Sequence, residues 1–228
     1  MKKLITLALA AVFFSCSKEA TPEYTVVSGK FTGAPKGKFT IKGNAFEKEI
    51  SVNEDGSFAD TLYIDYGGTY EMAKNEIYLH KGKNLSFELD IQNLDNITFS
   101  GDLATENKYF AQKKQLYKDI LGKTTELYTL EESQFLVKID EFTQKSNELL
   151  EASTFVIDDF KQNEQKSIGY NKEQLLRSYL SMHPFFTDNQ AFQVSDTYPK
   201  SNKTIDFDNA KDYDFSVAYR ELVVQNFR

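Results

Sequence analysis

Phe46-Glu47-Lys48-Glu49-Ile50-Ser51-Val52 is followed by Asn53-Glu54-Asp55-Gly56-Ser57 and then by Phe58-Ala59-Asp60-Thr61-Leu62-Tyr63-Ile64. In the first run Phe46, Lys48, Ile50 and Val52 alternate with Glu47, Glu49 and Ser51. In the last, Phe58, Asp60, Leu62 and Ile64 alternate with Ala59, Thr61 and Tyr63. A period of two sends successive side chains to opposite faces, so each run predicts a strand with one buried face. Asp55-Gly56 between them has the chemistry of a hairpin turn.

The same pattern extends from Tyr24 to Ser100. Leu85, Phe87, Leu89 and Ile91 alternate in the same way. The breaks carry turn residues: Gly33 to Gly37 around Pro35, Gly43-Asn44, Gly67-Gly68 and Lys81-Gly82-Lys83. About eight short strands at this close spacing favour an antiparallel β-sandwich over a parallel sheet.

At Gly101 the period changes. From Thr105 to Leu121 the apolar stripe Tyr109, Phe110, Leu116, Tyr117, Ile120 and Leu121 is helical. Thr129 with Glu132 has the spacing of a capping box, ahead of Phe135, Ile139, Phe142, Leu149 and Leu150 on one face. A third stretch, Phe155 to Met182, has Gly169 as a point of kink or division and is expected to end at Pro184. Residues 184–211 read as irregular, and a last helix starts at Asp212 or Tyr213. Its stripe Val217, Leu222, Val223 and Phe227 is expected to be the least satisfied, and the chain is expected to be severed ahead of a further domain. The predicted class is α+β: a sandwich over 24–101 and an all-helical region over 102–228. The two are expected to pack as one body, with outer-face residues such as Tyr63 receiving the helices.

The N-terminus decides where the protein is expected to reside. Lys2 and Lys3 precede an apolar segment from Leu4 to Phe14, too short to span a bilayer, and Ser15 precedes Cys16. This is the layout of a lipoprotein signal, with residues 1–15 removed and Cys16 acylated. Residues 16–23 then form a lipidated tether, whose six residues 17–22 reach at most roughly 20 Å. The expected location is the cell envelope, anchored to the outer or inner membrane, with the periplasmic side favoured over the cell surface.

Composition narrows the function classes. The chain has 27 basic and 34 acidic residues. Removal of the signal's two lysines leaves 25 against 34, or −9, a poor balance for binding nucleic acid. Cys16 is the single cysteine. With it acylated, the chain has no thiol for disulfides, thiolate metal sites or redox cycling.

The run Ile77-Tyr78-Leu79-His80-Lys81-Gly82-Lys83-Asn84-Leu85, then Ile97-Thr98-Phe99-Ser100-Gly101 and Glu106-Asn107-Lys108-Tyr109-Phe110, resembles the region preceding the thioredoxin domain in TlpA-like thiol–disulfide oxidoreductase lipoproteins of Gram-negative bacteria. Phe160-Lys161, Glu164, Ile168 and Tyr170 are similar to that family's connecting helix. The resemblance implies a non-catalytic N-terminal part of such a protein, with a thioredoxin domain or an envelope redox partner beside it. The family's Trp-Cys-x-x-Cys unit has no counterpart here, since tryptophan is absent and cysteine occurs once. No catalytic residue carries over, no cofactor is implied, and this chain is expected not to be an enzyme.

Other constellations have plainer readings. His80 and His183, the two histidines, fall in different predicted regions and predict no metal site. Asn53 to Ser57 lacks the frame of a calcium loop. Asp206, Asp208 and Asp212 read as a solvated acidic face. No Gly-x-Ser-x-Gly elbow is present. Thr61 in Asp60-Thr61-Leu62 matches a short O-glycosylation pattern. Tyr63, Tyr66 and Tyr70 bracket Gly67-Gly68 and are the candidate ligand-facing aromatics, the rest falling on core periodicity. Two functions follow as expectations: an accessory module of an envelope redox system, or a stand-alone envelope lipoprotein binding a small molecule, peptide or glycan.

Overall fold

The computed structural model describes residues 22–33 and 37–227; Cys16 and the signal lie outside them. Eight strands form two four-stranded sheets among the described residues. They are β1 (Thr25–Thr32), β2 (Gly37–Gly43), β3 (Phe46–Val52), β4 (Ser57–Leu62), β5 (Gly68–Met72), β6 (Asn75–Leu79), β7 (Asn84–Asp90) and β8 (Asn93–Ser100). One sheet runs β4-β1-β7-β8 and the other β3-β2-β5-β6. The alternating residues do meet inside: Ile41, Ile50, Phe58, Leu62, Leu85, Phe87 and Leu89 are all buried in one core. Rings from both sheets interlock there, with Phe39 of β2 4.9 Å from Phe31 and 4.8 Å from Phe58, edge-on contacts that suit the ring quadrupoles. Lys48 and Asp60, polar residues on the inward register, form a 3.5 Å ion pair. The class is α+β, with the strands preceding the helices.

The strands depart from the expected pattern in two respects. β1 pairs antiparallel with β4 but parallel with β7. No tight turn joins β1 to β7, because β2 to β6 lie between them in the chain, so hairpin geometry does not dictate their relative direction. Gly29 of β1 lies opposite Phe87, with φ at 151°; a Cβ there would stand 1.8 Å from the Phe87 carbonyl oxygen. The strands also end earlier than the apolar period. β4 ends at Leu62, which pairs with the first residue of β1, Thr25. Ile91 lies just beyond β7, after a register irregularity at Leu89/Asp90.

The helices are α1 (Ala104–Leu121), α2 (Thr124–Tyr128), α3 (Glu132–Ala152), α4 (Phe160–Phe186), α5 (Ala210–Phe215) and α6 (Val217–Asn226). The expected capping box is not formed. Thr129 instead donates to the carbonyls of Thr125 and Glu126 at the end of α2, while Glu132 accepts from the Ser195 N–H and hydroxyl. The short α2, absent from the apolar pattern, thus claims the hydroxyl that the box requires. Gly169 does not divide α4, and Pro184 lies inside it. A proline removes one donor, and in the last turn the next carbonyls are still used: Thr187 N–H donates to His183 and Asn189 N–H to Pro184. The terminal stripe is also better satisfied than expected. Leu222 is fully buried and Val217 and Val223 are half-buried, whereas Phe227 is 75 % exposed.

The helices do not rest on Tyr63, which is 73 % exposed. α1 meets the sandwich at β6 and β8, and α5 meets it at β5. Tyr78 of β6 packs against Phe110, Phe160 and Phe215. At the chain reversal Gly101 takes φ 90°, and Asn84 and Asp102 exchange hydrogen bonds. Asn107 of α1 then binds the outer edge of β6: its Oδ1 accepts from the Tyr78 N–H at 2.8 Å, and its Nδ2 donates to the Tyr78 carbonyl at 3.0 Å. Next to it, Glu106 accepts from the N–H groups of Val156 and Ile157 at 2.6 and 3.0 Å. The sandwich core continues through this joint into Leu103, Tyr109, Phe110, Leu150, Phe160, Ile168 and Phe215. A second core, around Phe135, Ile139, Phe142, Leu175 and Tyr179, lies among the helices.

Asn107→Ala is predicted to leave both Tyr78 backbone groups unpaired at a buried position, at about 1–3 kcal/mol each. Urea unfolding should show a loss of about 2–6 kcal/mol, and a loss below about 1 kcal/mol would contradict this role for Asn107.

Candidate functional site

Residues of α1, α4 and α6 and of β6 and β8 line an open cavity of 470 Å³, a volume in the range of small-molecule sites. Phe110 and Phe215 reach it from the shared core, and Tyr117, Tyr128, Phe142 and Met182 line it from the helices. Tyr117 is 36 % exposed, yet lost hydration pushes its phenol pKa up. Burial raises Tyr128 in the same way, to about 12.

The cavity lining carries charged groups beside uncharged polar ones such as Asn75, Ser167 and Gln174. Glu164, on the second turn of α4, is 0 % exposed. Its Oε1 accepts from Tyr109 Oη at 3.0 Å and from Lys113 Nζ at 2.5 Å, while Oε2 has no partner among the described residues. Lys113 also lies over the Phe110 ring, 5.3 Å from its centroid. Removal from water raises the Glu164 pKa against the attraction of Lys113 and the Tyr109 hydrogen bond. Truncating either member of such a buried pair strands the other charge, at a cost of roughly 3–5 kcal/mol. Glu221 of α6 and Glu76 of β6 also line the cavity. Lost hydration, then the Glu76 charge, raises Glu221. Lys114 is engaged by Asn75 at 2.8 Å and Asp95 at 3.1 Å. A second depression, along α3 and α4, is lined by Asp140, Gln144, Lys172 and other polar residues and by no aromatic ring.

The residues marked in the sequence lie elsewhere. Thr61 is exposed on β4, its N–H donating to Asp60 at 2.7 Å. Tyr63 pairs edge-on with Tyr24 at 6.2 Å. Tyr66 and Tyr70 stack at 4.9 Å, apart from it. Tyr70 is a core residue donating to the Tyr66 carbonyl, and the Tyr66 hydroxyl accepts from the Asn44 N–H at 2.5 Å. Their ordered contacts make Tyr66 and Tyr70 a brace for the β2–β3 turn. Asn53 to Ser57 is the β3–β4 turn, with Asp55 accepting from Ser57. His80 bonds the Lys81 carbonyl, and His183 bonds the Tyr128 carbonyl between α4 and α2. Asp212, expected on a solvated face, is buried, bound by Tyr170 at 2.6 Å and Lys166 at 3.1 Å.

The cavity residues escape motif reading because they come from β6 and several helices, with no local spacing to join them. One signal does exist. Glu164 stands four residues after Phe160 and four before Ile168, a carboxylate in the middle of a buried helical stripe. Comparison with family models, with curated proteins and with solved structures gives no match.

Glu164 binds its proton more tightly folded than unfolded, as does Glu221. The folded state therefore loses stability as pH rises from the ordinary carboxyl value of 4.5 through their raised pKa values. Glu164→Gln is predicted to remove its share of that decline, so the unfolding midpoint of the variant, relative to the parent, should climb with pH above 4.5. Parallel pH profiles would contradict the assignment.

Proposed function

We propose that this chain is a cell-envelope lipoprotein, anchored through acylated Cys16, that acts as the non-catalytic N-terminal module of a TlpA-like thiol–disulfide oxidoreductase system. It would hold a thioredoxin domain or an envelope redox partner near the membrane. One observation carries the reading: the residues of the resemblance are joint residues. Tyr78, Asn84, Glu106 and Asn107 make the hydrogen bonds that fasten the helices to the sandwich, and Gly101 has the positive φ of the reversal. A module whose shared features maintain the relation between its two parts is suited to positioning a neighbour. The chain supplies no redox couple of its own, since cycling a dithiol requires two thiols and there is one cysteine.

A second reading, a stand-alone ligand-binding lipoprotein, is favoured by the 470 Å³ cavity. Two measurements test these proposals. Cys16→Ser is predicted to move the protein from the membrane to the soluble fraction and to abolish acyl-label incorporation; unchanged membrane retention would refute the anchor. Sequencing the DNA after codon 228 separates the readings. A frame running into Cys-x-x-Cys is expected for the module, and a stop codon with no redox partner gene beside it would overturn that reading in favour of the binding protein.

A further inference from the structure

Two carboxylates of the cavity lining, Glu76 and Glu221, are solvent-exposed and form no ion pair among the described residues. Glu76 lies directly opposite Glu71 across the β5–β6 ladder, and like charges facing one another destabilise a sheet. Glu221 approaches the same place from α6. None of the three forms an ion pair among the described residues, whereas Lys113 and Lys114, the neighbouring cations of α1, are taken by Glu164 and Asp95. Lys74, in the β5–β6 turn, is the remaining cation of the lining. The rest of the wall is mixed: Asn75, Ser167 and Gln174 are polar, and Tyr117, Phe142 and Met182 present rings and a thioether. Glu164, fully buried on the same wall, keeps one oxygen unpartnered. Glu76 and Glu221, unpaired and placed near rings, form a receptor for an ammonium group attached to an apolar body.

We propose that the cavity binds an organic amine, its ammonium held between Glu76 and Glu221 and its apolar part against Tyr117, Phe142 and Met182. This rests on the cavity's being a binding site, as in the second reading above, and not on the redox role. The amine is bound as its cation, so no covalent step is involved. Lys74 opposes the ligand's charge and limits affinity.

The test is calorimetric titration of the full chain carrying Cys16→Ser, which removes acyl chains that would compete for the cavity. Three probes of one shape are used: 2-phenylethylamine, 2-phenylethanol and 3-phenylpropionate. The amine should bind saturably at one site, at least tenfold more tightly than the alcohol or the acid. Glu221→Gln and Glu76→Gln should each weaken amine binding at least tenfold while keeping the thermal midpoint within a few degrees, and Lys74→Met should tighten it. Equal binding of amine and alcohol would keep a ligand site but overturn the ammonium assignment, as would unchanged amine affinity in both glutamine variants. Absence of binding by any probe to the folded protein would overturn the site as well.

Discussion

The fold depends on one side chain closing one strand edge. β6 is the outer strand of its sheet, and the N–H and C=O of Tyr78 point away from β5. An open edge of this kind invites pairing with another chain. Asn107 presents an acceptor and a donor in the spacing of a strand neighbour, and its Nδ2 also bonds the Leu103 carbonyl within its own helix. α1 is thereby seated at a defined height along the sandwich, and Glu106 uses the same turn of helix to capture the chain entering α4. Since α4 packs on α3 and α6, this turn also fixes where those helices start from.

The cavity follows from that mounting. The helices meet the sandwich along β6 and β8, and α5 is bound separately, through the hydroxyl of Thr69 on β5 and the carbonyl of Phe215. Between these attachments the layers diverge around Phe110 and Phe215. Close packing elsewhere makes such a space expensive if it is empty, and the charged groups in it add a desolvation cost. Glu164, fully buried, limits that cost by pairing with Lys113, whereas Glu76 and Glu221 stay exposed to solvent. Stability is therefore lower here than a well-packed apolar junction would give, the usual signature of a region shaped for something other than folding.

Much of the fold was legible because its strands obey a period of two. Leu85, Phe87 and Leu89 announce β7, and Asp55-Gly56 announces its turn. The direction of β1 against β7 was not legible, because it arises between strands far apart in the chain and no turn encodes it. The missing capping box is a similar case: Thr129 has the right spacing to Glu132, but α2 competes for its hydroxyl. Tyr70 has the composition of a ligand contact and the position of a core residue, a difference set by its stacking on Tyr66. The cavity was the least legible feature. Glu164 set a carboxylate within a buried stripe, and Glu76, Glu221 and Tyr117 become neighbours only after the helices dock.

If the Asn107 and Glu106 contacts make sandwich and helices one cooperative body, the joint should open only when the whole protein unfolds. Native-state hydrogen exchange tests this directly, by comparing the amides of Tyr78 and Ile157 with that of Phe87 in the middle of the sandwich. One cooperative body gives a common opening free energy and a common denaturant dependence for all three. Exchange of Ile157 and Tyr78 at distinctly lower free energy, with Phe87 still protected, would show the helical layer detaching by itself and would contradict it.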